Sequence, residues 1–377
     1  MKILYIANSR IPTEKAHGLQ IMKTIEAMLG GGTEVTLIIP RRRNFITDSV
    51  KDYYGLERMP EIEYIGNYFW FLERFSPHLY FIAQRISFGI IVFLKVLRSG
   101  KNIIYSREIT ISYFLTLFGK KAVFEDHEPK KRFVFLYRMF VRKIWRKVIV
   151  AEHLKDIYSL YKVKEDSFIV VPNGVDLNEF ENARLDRIVW KKFNLNPEEK
   201  IVLYVGHLYR WKGVYTLIDS AQFIKEAKVV LIGGTEEDRK RAEKYVFEKE
   251  IKNVLIHPFV PHKEAIVFMK SADVLVLPNT ALEERSQKYT TPIKLFEYLA
   301  SGVPIVASDI PSFHIFLNNN VNTLFFKPDD PKDLTKKIDI ILQNPQIAKE
   351  ISNKAKVDAA KYTWGKRAAS VLEFLKN

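Results

Sequence analysis

The sequence predicts an α/β protein built as two units, each a parallel sheet wrapped by helices. Three observations carry this. The chain has 377 residues, enough for two separate cores. It opens on a βαβ pattern: an apolar run at residues 3–7, a helical repeat at 21–29 broken by Gly30, Gly31 and Gly32, and a second apolar run at 35–39. The pattern then starts again at Ile201, where a second apolar run at 201–205 meets a glycine-bounded loop and a new helix from Val214.

Composition narrows the function. A chain that is 47% hydrophobic and 27% charged buries enough apolar surface to fold throughout. The absence of cysteine removes disulfides, thiol catalysis and cysteine-based metal sites. A net charge of +15 points to nucleic acid, anionic lipid or phosphorylated small molecules as partners. No zinc-finger, RRM or basic-zipper pattern supports nucleic acid, so none is expected. The first residues are too short and strand-like for a signal peptide. The longest apolar run, residues 86–97, is short and contains Lys95, so no membrane span is expected. A cytoplasmic protein is the expectation.

In the first half, residues 8–18 form a polar loop, with His17 and Gly18 just ahead of the first helix. Open α/β sheets bind ligands at the carboxyl ends of their strands, so Gly18 is a candidate, although a lone glycine there is ordinarily a turn. The loop is not G-x-G-x-x-G, which disfavours a dinucleotide. Residues 64–97, rich in Phe, Tyr and Ile with scattered Arg and Lys, read as one or two helices with an aromatic surface. Residues 103–106 and 122–124 read as strands. The second runs into Glu125, Asp126, His127 and Glu128, either a reactive cluster at a strand end or a solvated loop. Residues 130–150 hold eight basic residues and no acid. Phe133, Tyr137, Phe140, Ile144 and Val148 fall on one helical stripe, and Arg138, Arg142 and Arg146 on another. This is either a solvated basic face or a surface for anionic lipid. Strands at 148–151 and 168–171 flank a helix ending at Tyr161, and Asn173-Gly174 is turn chemistry.

In the second half, residues 206–213 read Gly-His-Leu-Tyr-Arg-Trp-Lys-Gly. Cations in a glycine-bounded loop ahead of a helix suit a diphosphate, which makes Arg210 and Lys212 candidates. Residues 229–234 form a strand and turn ending in Gly234. Residues 254–259 and 272–278 are strand-like, and helices follow residue 330.

Residues 290–308 organise the chain. Thr290, Thr291 and Pro292 start a helix, with proline where its missing N–H costs nothing. Ile293, Phe296 and Leu299 bury one face, while Lys294, Glu297 and Ser301 fall on another. Gly302 ends the helix, and residues 304–307 read as a short buried strand. A helix N-terminus with Lys294 in its first turn suits a phosphate, and Glu297 can accept hydrogen bonds from sugar or ribose hydroxyls. An ordinary amphipathic helix packed on a sheet is the plainer reading.

This stretch, with the 206–213 loop, resembles the group 1 (family 4) retaining glycosyltransferases of the GT-B fold. In that family the helix carries a Glu, seven residues and a second Glu. Glu297 matches the second, and Tyr289 stands at the first, where it can offer a hydroxyl or a stacking face. Thr291-Pro-Ile-Lys294 is similar to the variant that often lacks the first Glu. The family loop reads Gly-Arg-Leu, three residues, then Lys-Gly. Lys212 and Gly213 match, while His207 replaces the arginine and Arg210 can supply the missing guanidinium. The resemblance is tightest over residues 204–308 and loosest over 41–97.

The resemblance implies two Rossmann-like domains facing each other across a cleft. Residues 1–175, with a crossing segment at about 362–377, would bind the acceptor, and residues 176–361 the nucleotide sugar. It implies His127, Lys212 and Arg210 in catalysis, and Gly18, His207, Gly234, Tyr289, Thr291, Lys294 and Glu297 in donor binding. His127 would position and polarise the sugar. Anomeric configuration would be retained, with the leaving phosphate oxygen taking the acceptor proton. No Asp-x-Asp triplet is present, so neither metal nor cofactor is expected, and fixed cations would hold the diphosphate. The acceptor would be a glycan or a lipid-linked glycan of the cell surface. Arg41, Arg42 and Arg43, the basic run and the aromatic segment would favour the anionic inner face of the cell membrane. A nucleotide-sugar epimerase of the same architecture and a non-catalytic sugar-nucleotide-binding protein are the alternatives.

Overall fold

The computed structural model describes residues 1–66, 69, 71, 74–100, 102–129 and 132–376. Tyr68, Trp70, Lys130 and Lys131, part of the aromatic and basic segments above, lie outside the described residues. The chain divides into two compact units, one of Met1–Pro172 with Trp364–Asn377, the other of Asn173–Thr363.

The first unit alternates strand and helix: β1 (Lys2–Ile6), α1 (Ala16–Gly30), β2 (Glu34–Pro40), α2 (Val50–Tyr54), β3 (Glu61–Ile65), α3 (Pro77–Arg98), β4 (Ile103–Ser106), α4 (Ile109–Leu117), β5 (Ala122–Asp126), α5 (Val134–Lys143), β6 (Arg146–Ile149), α6 (Leu154–Leu160) and β7 (Phe168–Val170). The strands pair in parallel in the order β3-β2-β1-β4-β5-β6-β7. Their near-continuous apolar runs fit a sheet covered on both faces.

The second unit runs α7 (Leu177–Asn182), β8 (Lys200–Val205), α8 (Val214–Ser220), β9 (Ala227–Ile232), α9 (Glu236–Glu248), β10 (Val254–His257), α10 (His262–Ser271), β11 (Val274–Leu277), α11 (Glu284–Lys288), α12 (Ile293–Ser301), β12 (Ile305–Ser308), α13 (Pro311–His314), β13 (Leu324–Phe326), α14 (Pro331–Gln343) and α15 (Pro345–Ala359). Its parallel sheet has the order β10-β9-β8-β11-β12-β13. The last helix, α16 (Trp364–Lys376), belongs to the first unit. There Ala368, Val371, Leu372 and Leu375 join Ile21, Ile25 and Met28 of α1 in one buried cluster. The expected fold class, two Rossmann-like α/β units, is the one observed. In each unit the strand order reverses once, beside β1 and β4 in the first and beside β8 and β11 in the second. Such reversals open a crevice at the strand carboxyl ends.

Local expectations differ in four places. Gly18 is the third residue of α1, not part of a loop before it. A side chain there has no room: a Cβ would lie 2.3 Å from Tyr54 Oη and 2.5 Å from Thr13 Cγ2. Tyr64 lies in strand β3, and α3 starts at Pro77, capped by Ser76. The basic stripe is not one helix to Val148. The helix spans Val134–Lys143, Ile144 turns extended, and Arg146–Ile149 pairs with β5. Strand pairing overrides the helical spacing there. Finally, α3 reaches 22 residues at high mean hydropathy, long and apolar enough by length and composition to cross a membrane, although no single run predicted it.

Candidate functional site

In the first unit the carboxyl end of β5 delivers Glu125, Asp126 and His127. Glu125 is buried and accepts four bonds. Its Oε1 takes Gln20 Nε2 at 2.7 Å and His127 Nε2 at 2.7 Å. Its Oε2 takes Arg367 Nη2 at 2.8 Å and the Tyr105 hydroxyl. Burial alone would raise this carboxyl. Arg367 and His127 overcome that and hold it well below the ordinary carboxylate range. An ionised Glu125 requires the His127 proton on Nε2, which fixes the ring. Burial, then the charge of Arg107, pushes His127 down to about 4, so its imidazole is neutral near pH 7. His17 is driven to about 4 in the same way, by burial and then Arg107. Asp126 is a clasp: it accepts from Tyr158 Oη at 3.0 Å and from the Tyr137 hydroxyl, tying β5 to α5 and α6.

In the second unit the loop after β8 lies at the reversal of strand order. His207, Tyr209 and Trp211 stack in series, with centroids 4.9 and 6.3 Å apart. A short 3-10 turn, Arg210–Lys212, ends in Gly213 at φ +68. A Cβ on Gly213 would fall 1.7 Å from Pro278 O, so the tight seat against β11 demands glycine. Gly234, after β9, closes on the same loop, where a Cβ would lie 2.7 Å from Leu208 Cγ.

Two cations gather at Trp211. Lys212 Nζ is 4.1 Å from its ring centroid and Arg285 Cζ 4.6 Å. Burial and then the Arg285 charge depress Lys212 to about 7. Arg210 points elsewhere, with its guanidinium 5.7 Å from the Tyr215 ring. The second cation beside Lys212 is therefore Arg285, which no spacing within the 206–213 loop could reveal.

Helix α12 begins directly after Pro292, and Gly302 ends it at φ +74. Glu297 is buried, not on a free polar face. Its Oε1 meets His262 Nε2 at 2.7 Å and its Oε2 lies 2.6 Å from Lys294 Nζ. Burial would raise its carboxyl, yet Lys294 and His262 together bring it to about 2. His262 Nδ1 also lies 3.5 Å from Glu179 Oε2. Tyr298 Oη accepts from Val205 N at 2.9 Å, tying α12 to the end of β8. Thr291 O accepts from Asn173 Nδ2 at 2.7 Å, and half-buried Tyr289 follows α11, where its N–H bonds Arg285 O at 3.2 Å. The second unit thus brings His207, Lys212 and Gly234 to one loop cluster, joined to the α12 group by the Tyr298 bond. Gly18 and His127 belong to the first unit. Among the described residues no group of three or more His, Asp or Glu side chains gathers at metal-binding distance.

The family described as "Glycosyl transferases group 1" matches residues 187–358, just under half of the chain and nearly all of the second unit. An undecaprenol-diphosphate-linked N-acetylgalactosaminyltransferase of Campylobacter jejuni, named as N,N'-diacetylbacillosaminyl-diphospho-undecaprenol alpha-1,3-N-acetylgalactosaminyltransferase, is 25% identical over 61% of this chain and 60% of its own. A processive diacylglycerol alpha-glucosyltransferase of Acholeplasma laidlawii is 27% identical over 50% of this chain and 55% of its own. The chain thus spans under two thirds of the length of either relative. Among solved structures, sucrose-phosphate synthase from Thermosynechococcus elongatus aligns at TM-score 0.77 and 17% identity, covering 100% of this chain and 98% of that one. Anabaena HepE, in complex with UDP and glucose, aligns at 0.76 and 15%, covering 100% and 99%. At these identities the structures show the fold. The family match, the sequence relatives and the fold agree, and residues 187–358 of this chain are similar to the group 1 glycosyltransferases.

Proposed function

We propose that this chain moves a sugar from a nucleotide-diphosphate sugar to a lipid-linked or glycan acceptor, with retention of configuration and without a metal. The observation that carries this is the pairing of Lys212 and Arg285 over one indole, two cations held close with Lys212 pushed down to about 7. Lys212, desolvated in the loop, and Arg285 of α11 beside it concentrate positive charge at a strand carboxyl end, where a diphosphate would be stabilised. In the transfer, the bond from the anomeric carbon to the phosphate oxygen breaks and the bond to the acceptor oxygen forms on the same face. The acceptor proton passes to the leaving phosphate oxygen, and Lys212 and Arg285 stabilise the charge developing there. His127, neutral and with Nε2 held by Glu125, positions the sugar and is not the base. The names of the Campylobacter and Acholeplasma relatives specify lipid-borne acceptors, which supports the same class here, at the anionic inner face of the membrane.

Thermal shift across UDP-, GDP- and ADP-sugars tests donor binding, since a ligand at 100 times its Kd adds about 2.7 kcal/mol of stability. A shift with one base, followed by transfer of labelled sugar to a lipid extract in the presence of EDTA, is expected. No shift with any nucleotide sugar overturns the reading. Free epimerised sugar nucleotide formed without acceptor would replace it with an epimerase. Transfer abolished by EDTA and restored by a divalent cation would remove the metal-free part.

A further inference from the structure

Helices α3, α4 and α5 form one layer on the first unit's sheet, joined by Phe93 against Phe118 at 5.1 Å and Tyr113 against Phe140 at 4.2 Å. The inward side of α3 is ordinary. Phe88, Val92 and Val96 are buried with Ile38, Ile104 and Leu115. Its outward side is not. Leu79, Ile82, Ile86, Ile90 and Leu94 fall on the opposite stripe and are between 44% and 57% exposed. No charged residue interrupts that stripe, where a water-facing helix normally carries polar groups. The patch continues through exposed Phe114, Leu117 and Phe118 at the end of α4 and Phe133, Phe135 and Leu136 at the start of α5. Contiguous exposed apolar surface of this kind marks an interaction site.

The charge around the patch identifies the partner. From residue 74 to 124 the only acid is Glu108, and it is paired with Arg85 at 2.9 Å. Residues 129–150 contain no acid, and Arg138, Arg142 and Lys143 of α5 are exposed. An apolar stripe flanked by unopposed cations complements an anionic bilayer surface, where side chains enter the acyl boundary and cations meet headgroups. A second copy would bring the same cations face to face.

We propose that the outward face of α3, with the exposed ends of α4 and α5, docks into the surface of an anionic lipid bilayer, lying in the interface and not crossing it. A crossing would strip Phe88, Val92 and Val96 from the core they share with the sheet. The inference deepens the proposed function by naming the surface that reaches a lipid-borne acceptor. It rests on that reading only for the acceptor's location.

The test is cosedimentation with phosphatidylglycerol or phosphatidylcholine vesicles at low and high salt. The chain is compared with Ile86→Glu/Ile90→Glu and with Arg138→Glu/Arg142→Glu, each checked by circular dichroism. The wild type should sediment with phosphatidylglycerol at low salt and be released by alkaline carbonate. The isoleucine pair should lower partitioning by about tenfold or more, and the arginine pair should lower it and flatten its salt dependence. The proposal is overturned if the wild type ignores anionic vesicles at low salt, or if a folded isoleucine variant binds them as wild type does. Resistance to carbonate would replace docking with insertion. A wild-type dimer that the isoleucine variant splits, without vesicle binding, would make the face a self-association surface. Donor binding, read by thermal shift, is expected unchanged in both variants, so failure here leaves the transfer reading standing.

Discussion

Arg367 Nη2 lies 2.8 Å from Glu125 Oε2, and both side chains are buried. Arg367 sits on the last helix, some 240 residues beyond its partner. It also donates through Nη1 to Pro172 O at 2.8 Å and to Val171 O, the last two carbonyls of the unit's main segment. One guanidinium therefore anchors α16, the end of the first segment and the carboxylate that holds His127.

Arg367→Met should cost about 3–5 kcal/mol, because it leaves Glu125 buried without its countercharge. Chemical denaturation measures this. Glu125→Gln with Arg367→Met should recover part of the loss, since both charges are then gone. The pH dependence follows from the direction of the shift. Glu125 is held below the ordinary carboxylate range, so its stabilisation is present above that range and is lost as pH falls through it. A wild-type denaturation midpoint independent of pH between 6 and 2 would contradict the pairing.

Arg285→Gln should weaken nucleotide-sugar binding by roughly 10- to 100-fold, the range for losing one hydrogen bond to a charged group. Arg210→Gln, whose guanidinium rests on Tyr215, should change it by no more than about threefold. Isothermal titration of both variants separates them. The reverse order would return the role to Arg210.

Donor affinity should depend on pH through Lys212. Burial and Arg285 lower this lysine to about 7, so above that pH a diphosphate must recruit a proton in order to bind. Affinity should be flat below pH 6 and fall by up to about tenfold per unit above 7. Lys212→Arg, which stays charged, should remove the slope while keeping measurable binding. A slope that persists in Lys212→Arg would assign the titration to another group.

Gly18→Ala should destabilise by roughly 1–3 kcal/mol through overpacking against Tyr54 and Thr13. Pairing it with Tyr54→Phe removes the nearest atom and should recover part of the loss. Thermal melts of the three variants decide it, and an undisturbed melt for Gly18→Ala would mean that α1 shifts freely there.

Apolar periodicity made the architecture legible, because parallel strands buried on both faces read as unbroken runs such as 201–205. It misplaced the boundary after Lys143, where helical spacing continues through Val148 but pairing with β5 claims the backbone. An exposed side was expected on the 64–97 segment as an aromatic surface, whereas the outward stripe of α3 is aliphatic, Leu79, Ile82, Ile86, Ile90 and Leu94, because period alone does not say which face the sheet covers. At the site, Lys212 and Gly213 were visible from spacing. Arg285 lies 73 positions from Lys212, and Arg367 lies 240 from His127. Neither carries a local signature, because only tertiary packing brings them to their partners. Glu297 was legible as a residue but not in its environment: Lys294 is one turn away, whereas His262 comes from another helix.

That environment decides how Glu297 acts. Its carboxylate already holds His262 Nε2 at 2.7 Å and Lys294 Nζ at 2.6 Å, and these partners bring it to about 2. If it serves the donor by holding Lys294 at the start of α12, then Lys294→Met and Glu297→Gln should each cut transfer by roughly 100-fold, the cost of one preorganised stabilising group. The double variant should then be little worse than either single one. If Glu297 instead bonds sugar or ribose hydroxyls directly, the two losses should multiply, since residues without a shared role add in free energy. Glu297→Gln keeps the shape of the buried side chain, so a fold check by circular dichroism should pass where Glu297→Ala would leave a void beside His262. Multiplicative losses in kcat/KM would give Glu297 a contact of its own. Near-normal transfer by both single variants would remove α12 from the donor site.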